Sequence, residues 1–268
     1  MKKIALFVAI ATFIGLIWSC RGIELENIEV NKGYNYFPLQ KGKFVIYDVT
    51  QKRFFTVNKD QHIVYKDSAV YQLKEEIVDT LRDAAGRQSF KIHRFTRPDA
   101  TVAWTFVNAW YATGTDSQAE RVEDNRRFVK LAFPIQKNGS FKGTQYLNEA
   151  DTMQFVSQNG AHSCTISDVF TNWKSSYKQV DVPATINGRT FDSTLTVVHA
   201  DQRGDNVKYR YVVEQYARRV GLVYRKTMIL ATQCTCADGS VCCPNYQKPF
   251  EQKAEDGIIQ ELKVVSFN

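Results

Sequence analysis

The sequence predicts a mainly β fold: an antiparallel meander that forms a half-barrel, a barrel or a sandwich with little helix. Three observations support this prediction. Aromatic and β-branched residues, which favour pleated and half-buried strands, recur along most of the chain. Several segments alternate between apolar and polar residues with the period of two that is typical of strands. Short turn-like segments separate them, as expected for strands joined in sequence order.

The first half of the chain carries the strongest strand patterns. Residues 44–49, with the sequence FVIYDV, are rich in residue types that suit a half-buried strand. Residues 90–95 alternate by two, and residues 83–87 supply a turn before them. Pro134 ends the last strand-like segment, because proline cannot donate a ladder hydrogen bond. The predicted strands of this half lie within residues 44–49, 70–81, 90–95, 101–111 and 128–133.

The second half begins with a less regular stretch. Residues 136–176 are rich in Asn, Ser, Gly and Gln, which predicts loops with one short helix near residues 167–174. Strand patterns then return. Asn187 and Gly188 both tolerate a positive φ, so they predict the type I′ turn of a β-hairpin. The predicted strands of this half lie within residues 177–182, 191–197, 207–230 and 258–267.

The first twenty residues have the layout of an export signal. Lys2 and Lys3 precede an uncharged, mostly apolar run over residues 4–19, and these are the basic and apolar regions of a signal peptide. Residues 17–20, Ile-Trp-Ser-Cys, resemble the lipobox of bacterial lipoproteins, in which the cysteine is acylated and becomes the first mature residue. We expect lipidation of Cys20 and anchoring in the outer membrane of the cell envelope, on its periplasmic side or at the cell surface. An ordinary cleaved signal and an uncleaved anchor are the alternatives.

Composition places the rest of the chain among ordinary globular proteins. Hydrophobic residues make up 44% and charged residues 24% of the sequence. We expect a signal peptide over residues 1–19, a lipid-anchored tether over residues 20–33 and a single β-rich domain over residues 34–268. The formal net charge is +7, and the basic residues are dispersed along the chain. A nucleic-acid-binding protein concentrates its basic residues in a patch or stripe, so we expect no nucleic-acid partner.

Four cysteines, Cys234, Cys236, Cys242 and Cys243, lie within ten residues. Thiols this dense in an exported chain are usually paired, which makes all four disulfide candidates. The two crossing pairings avoid a strained bond between adjacent cysteines, and each bond stabilises the fold by about 2–3 kcal/mol in the chain-entropy model. The alternatives are redox exchange and a thiolate site for Zn or Cu(I), although the spacing differs from the usual zinc pattern.

Cys164 is then the unpaired thiol. Residues 162–164, His-Ser-Cys, allow a nucleophile with His93 or His199 as its base. The alternative, which we favour, is a buried free cysteine that packs as a small hydrophobic residue. The sequence contains no G-x-S-x-G, H-E-x-x-H or glycine-rich phosphate motif. It therefore predicts no catalytic residue, no metal site and no cofactor.

An aromatic set in the fourth predicted strand is the candidate ligand surface. Trp104, Phe106 and Trp110 are two and four residues apart, a spacing that places side chains on one face of a strand. Such a face belongs either to the core or to the lining of a ligand cavity. We expect the concave side of the sheet to carry part of this set.

Two segments resemble a known group of proteins. Residues 36–44, YFPLQKGKF, are followed by the motif Tyr-Asp-Val at residues 47–49, and residues 216–224 read YARRVGLVY. Together with the lipobox, they resemble an uncharacterised lipoprotein family of Bacteroidota-type bacteria. The resemblance implies an exported β-rich domain, and it implies no activity and no site residues.

These observations predict a membrane-tethered, exported lipoprotein that is not an enzyme. Its β domain would bind an apolar or glycan ligand. The alternative is a structural or assembly partner of other cell-envelope proteins, and an enzyme is the third class. A large apolar cavity would favour the ligand-binding domain. An exposed apolar patch of more than several hundred Å² would favour the assembly partner. A cleft that joins Cys164 to a histidine would favour the third.

Overall fold

Antiparallel strands make up most of the structure. The computed structural model describes residues 32–59, 61–232 and 247–268. The strands are β1 Phe44–Asn58, β2 Ile63–Arg82, β3 Gln88–Arg97, β4 Thr105–Gly114, β5 Gln118–Glu123, β6 Arg126–Ala132, β7 Ser140–Phe141, β8 Met153–Val156, β9 Ser163–Ile166, β10 Ser175–Ile186, β11 Arg189–Gln202, β12 Lys208–Ala217, β13 Gly221–Ala231 and β14 Asp256–Phe267. The helices are a 3₁₀ turn, Tyr34–Tyr36, and the single-turn α1, Phe250–Lys253. All described residues belong to the unit Lys32–Asn268.

Twelve strands form one antiparallel sheet in the order β6-β5-β4-β3-β2-β1-β14-β13-β12-β11-β10-β7. Adjacent strands in the sheet are also consecutive in sequence, except that β1 pairs with β14 and β7 pairs with β10. The sheet is therefore a meander, and the pairing of the first and last strands joins its two halves. The remaining strands, β8 and β9, form a small separate sheet. The predicted fold class, an antiparallel β meander with little helix, is confirmed.

The twelve-stranded sheet curls into a nearly closed barrel. Its two edges meet where the chain after β6 returns to β10. The Tyr177 hydroxyl, on β10, donates to the Ala132 carbonyl at 2.6 Å, and the Val129 amide of β6 donates to the Gly143 carbonyl at 2.8 Å. An added Cβ at Gly143 would lie 2.5 Å from the Ser175 hydroxyl. Only glycine therefore allows this close approach between the two edges.

The interior of the barrel has three layers, and β13 runs through all of them. The first layer, around Leu222, is the mouth of the barrel. It holds apolar side chains such as Tyr36 and Leu195, and residues 34–39 cover it. Near Arg225 is a layer of charged side chains. Near Ile229 is the end plug, an apolar cluster to which the β8–β9 sheet contributes. The end plug consists of Phe55, Phe155, Cys164, Ile166, Val169, Phe170 and Ile229.

Of two local predictions outside the strands, a turn and a short helix, only the turn is present in the structure. The type I′ turn is confirmed, because Asn187 and Gly188 have φ values of 51° and 76° and join β10 to β11. The short helix predicted near residues 167–174 is wrong. Asp168 and Asn172 adopt positive φ values of 50° and 57°, which interrupt a right-handed helix, and the segment forms turns instead.

The described residues contain no helix long and apolar enough to cross a membrane.

Candidate functional site

A belt of buried charged side chains crosses the middle of the barrel. We use the name belt for seven residues on strands β2, β3, β5, β6, β12 and β13. Each has at least one ion pair within the group, and most are less than a tenth exposed. The belt consists of Glu75, Arg94, Arg121, Glu123, Lys130, Glu214 and Arg225.

One half of the belt is organised around Glu75. Arg94 Nε donates to its carboxylate at 3.1 Å, and Arg121 Nη2 donates at 2.9 Å. The Arg94 guanidinium also lies over the ring of Trp110, 3.5 Å from the ring centroid. The Trp110 indole N–H donates to Asp124 at 3.1 Å. Stacking and pairing together fix the positions of both guanidinium groups.

The other half is organised around Glu214, which is fully buried. Its carboxylate lies 2.7 Å from Arg225 Nη2 and 3.1 Å from Lys130 Nζ. It also lies 2.9 Å from His199 Nε2, and the Tyr216 hydroxyl donates to it. The carboxylate thus has four partners, as expected for a charge that is excluded from water.

Glu123 connects the two halves of the belt. Its carboxylate lies 3.0 Å from Lys130, 3.2 Å from Arg225 and 3.5 Å from Arg121. Removal of any one belt residue would leave at least one buried charge with a missing partner. The belt is therefore one connected network in which the members depend on each other.

The three belt carboxyls have lowered pKa values. Burial alone would raise the pKa of Glu214, but Lys130, Arg225 and His199 outweigh it and hold that pKa well below the usual range. Burial is likewise the largest single influence on Glu75 and Glu123, and neighbouring guanidinium groups again lower both pKa values. With these carboxyls ionised, the belt contains four cations and three anions. It carries a net charge of +1 inside the barrel.

Two β-bulges place residues in or beside the belt. In β6, Val129 and Leu131 pair with consecutive residues of β5, so that Lys130 has no partner in the ladder. In β11, Val198 and Ala200 pair with consecutive residues of β12, and His199 is the extra residue. A bulge changes which face a side chain occupies. The belt was not predicted from the sequence. The feature of the sequence that could have indicated it is a charged residue within an otherwise apolar strand, such as Glu214 in residues 212–216.

On the mouth side of the belt are two cavities that share Phe37 and Leu39. The inner cavity, of about 80 Å³, reaches Glu75 and Arg121 of the belt and is also lined by Lys43. The Nε atom of Arg121 is buried without a hydrogen bond, although it lies 3.5 Å from the Glu123 carboxylate.

The rim cavity, of about 310 Å³, has a mixed lining of aromatic and polar groups. Tyr34, Phe90 and Phe133 line it together with the two shared residues, and Asp116 is its acidic residue. Its volume lies at the lower limit of roughly 300–1,000 Å³ that small-molecule sites occupy. The rim cavity thus adjoins the inner cavity at Phe37 and Leu39, and the inner cavity reaches the charged belt.

The aromatic set predicted to share one face is divided between the two faces of the sheet, so that prediction is wrong. Arg94 pairs with Asn108 and Phe95 pairs with Phe106, which leaves Val107 in a bulge. Trp110 is 6% exposed inside the barrel, whereas Phe106 is 52% exposed on the outer face. The bulge reverses the alternation between them.

Trp104 lies with Phe106 on the outer side. Its ring is 4.2 Å from the Arg97 guanidinium and 5.9 Å from the Lys74 ammonium. The ring of Phe106 packs edge-to-face against His93 and Phe95. Ligand binding by Trp104, Phe106 and Trp110 stays a prediction, and the rim and inner cavities are lined by other residues.

Cys164 lies in the end plug as a buried free cysteine. Its thiol donates to the Phe54 carbonyl at 3.6 Å, and burial raises its pKa to about 12. His199 bonds Ser175 and Glu214 instead, and His93 packs on the outer face. The predicted lipidation site Cys20 lies outside the described residues. So do the disulfide candidates Cys234, Cys236, Cys242 and Cys243.

Within the described ranges, no cluster of three or more His, Cys, Asp or Glu side chains could hold a metal ion. No model of a known protein family matches the sequence. No curated protein matches it at a significant level.

Two solved structures resemble this chain. One is a proposed exported protein with a YmcC-like fold from Bacteroides fragilis, at a TM-score of 0.34. The other is a proposed lipoprotein from Parabacteroides distasonis, at a TM-score of 0.32. Each alignment has 9% sequence identity and covers 87% of this chain and 98% of the other. Similarity at this level supports no statement about function, so the lipoprotein assignment stays a prediction from the first twenty residues.

Proposed function

We propose that this protein is a membrane-tethered, non-enzymatic binding domain of the cell envelope whose barrel mouth holds an amphipathic anion. The apolar body of the ligand occupies the rim cavity, and its anionic head occupies the inner cavity beside Arg121. The tether follows from the export signal and the lipobox-like cysteine. The single observation that carries the ligand class is the pair of adjoining cavities at the mouth, which share Phe37 and Leu39 and of which the inner one is lined by Lys43 and Arg121.

Charge determines the proposed orientation of the ligand. The inner cavity is lined by Lys43 and Arg121 against the one carboxylate of Glu75, and the belt behind it carries a net +1. Asp116 lines the rim cavity, where an anionic head would be repelled. A buried positive charge without a full set of anions is costly, and an anionic head would offset that cost. A fatty-acid carboxylate has the required chemistry.

A titration of three head groups on one alkyl chain tests the proposal. Residues 20–268 with Cys20→Ser would be titrated with dodecanoate, dodecanol and dodecyltrimethylammonium by calorimetry. We expect dodecanoate to bind most tightly and the ammonium compound least tightly. Equal affinity for all three would reject the anionic preference. Binding of an envelope glycan in place of all three would reject the amphipathic ligand.

A matched pair of lysine variants locates the site. Lys43→Gln removes a cation that lines the inner cavity, whereas Lys41 lies two residues away, outside both cavities. We expect Lys43→Gln to weaken dodecanoate binding several-fold and Lys41→Gln to leave it unchanged. Dodecanol binding should be the same in both variants, because it lacks the charge.

A second candidate function, assembly with other envelope proteins, has support from the outer face. Val70 on β2 is 75% exposed, and Phe106 and Val107 on β4 are 52% and 49% exposed, with β3 between these two strands of the sheet. Exposed apolar side chains on one sheet favour a partner surface where they form a patch. Chemical crosslinking in native membranes would test this function. Loss of one specific crosslinked product on Phe106→Asp, with dodecanoate binding intact, would support it.

A further inference from the structure

A third cavity lies on the opposite side of the belt, between the belt and the end plug. We call it the plug cavity. Its volume is about 110 Å³. Belt residues such as Lys130 and Glu214 line one side, and Phe128, Phe170 and Ile229 line the other. The lining is therefore mainly apolar with charged groups on it, and the belt separates the cavity from those at the mouth.

Three buried donors around the plug cavity lack hydrogen-bond partners among the described residues. They are the Thr144 hydroxyl, the Trp173 indole N–H and Arg225 Nε. Each of these residues lines the cavity. Thr144 is 1% exposed and Arg225 is 8% exposed. A buried donor without a partner costs about 1–3 kcal/mol, so three around one small space indicate that an acceptor belongs there.

Charge and size restrict the occupant. Lys130 and Arg225 line the plug cavity together with Glu123 and Glu214, and these four ion-paired charges sum to zero. The cavity therefore has no preference for an ion, in contrast to the inner cavity. A dry engineered cavity of about 150 Å³ holds benzene, which has six non-hydrogen atoms, so the smaller space of about 110 Å³ suits a molecule of about four or five non-hydrogen atoms.

We propose that the plug cavity binds a small neutral molecule that carries a carbonyl oxygen on an apolar ring or short chain. A carbonyl oxygen has two lone pairs and can accept from two donors, here Thr144 and Trp173. The hydrocarbon part packs against Phe128, Phe170 and Ile229. This site is separate from the proposed anion site at the mouth and does not depend on it.

Cyclobutanone, with five non-hydrogen atoms, is the probe for this site. Residues 20–268 with Cys20→Ser contain three tryptophans, Trp104, Trp110 and Trp173, so ¹⁵N-tryptophan labelling gives three indole N–H signals in an NMR spectrum. Trp173→Phe assigns the signal of interest. We expect cyclobutanone to move the Trp173 signal in a saturable manner as the N–H gains an acceptor. The Trp110 signal should stay in place because that N–H already donates to Asp124.

Controls make the result decisive. Thr144→Val should weaken cyclobutanone binding about fivefold to tenfold, the effect expected for one hydrogen bond. Thr165→Val, at an exposed position of β9, should leave it unchanged. The cyclobutylammonium ion should not bind, since it offers donors only. An unmoved Trp173 signal would mean that water alone fills the cavity. That result, or equal shifts of Trp110 and Trp173, or equal binding of the ammonium ion, would overturn the proposal.

Discussion

The belt and the end plug are neighbouring layers of one interior, and different interactions hold them together. The end plug consists of apolar side chains whose burial is non-directional and tolerates small changes in shape. The belt consists of ionised groups that were removed from water and must each keep several partners at fixed distances. Charge is thus concentrated in the middle layer, below the cavities at the mouth, and apolar packing closes the opposite end. We expect the belt to be the more sensitive layer.

Acid should produce the largest difference between the two layers. The pKa values of Glu75, Glu123 and Glu214 are lower in the folded chain than in the unfolded chain, where they are about 4.3. Their stabilisation is complete above about pH 4.5 and is lost as the pH falls through the folded values. Urea midpoints should therefore decrease from about pH 4.5 towards pH 2. The same decrease in Glu214→Gln as in the native chain would contradict this account.

Glu214→Gln alone should have the next largest effect. The substitution keeps the shape but leaves Lys130 and Arg225 without one of their anions. Loss of one partner in a buried ion pair costs about 3–5 kcal/mol of unfolding free energy. Glu76→Gln is the control, because Glu76 pairs with Lys74 at a half-exposed position of the same sheet. Equal effects of the two substitutions in chemical denaturation would refute the role of the belt.

Ile229→Val changes the end plug by one methylene and should have a smaller effect. Ile229 is 3% exposed, and such a truncation costs about 0.5–1.5 kcal/mol. Thermal and urea unfolding would measure it, with Glu214→Gln for comparison. A loss as large as that of Glu214→Gln would show that the end plug is as intolerant as the belt.

Val70→Thr on the outer face should have the smallest effect. Val70 is 75% exposed, and exposed substitutions change stability by about 0.5 kcal/mol or less. Val49→Thr, at a fully buried position of the neighbouring strand, is the matched change, and a buried hydroxyl without a partner costs about 1–3 kcal/mol. If Val70→Thr were the more harmful, the assignment of inner and outer faces would be incorrect.

The sequence was sufficient for the fold class but not for the faces of individual strands. Alternation with a period of two identified the strands, and Asn187 with Gly188 identified one turn. Bulges are not visible in such a pattern. The bulge at Val107 puts Phe106 and Trp110 on opposite faces of the sheet. The bulges at Lys130 and His199 place these two residues in or beside the belt, although strict alternation predicts the other face of the sheet for them.

The belt itself also depended on information that a single strand does not contain. Its members come from six strands, and a charged residue in one strand has no visible partner until the sheet curls. The helix predicted near residues 167–174 failed for a local reason. Asp168 and Asn172 favour turns because their short polar side chains tolerate a positive φ. The cavities follow from closure of the barrel, which no local pattern encodes.

The pairing of β1 with β14 has a consequence for how the chain reaches its fold. The amide of Phe44 donates to the side chain of Asn268, 224 positions away. The two halves of the meander can each form from local hairpins, but they join only when the final strand is present. Non-local pairing of this kind slows folding, because a long loop must close before the contact forms. A chain arrested before residue 256 would present two unpaired strand edges, at β1 and β13, and these are sites of aggregation.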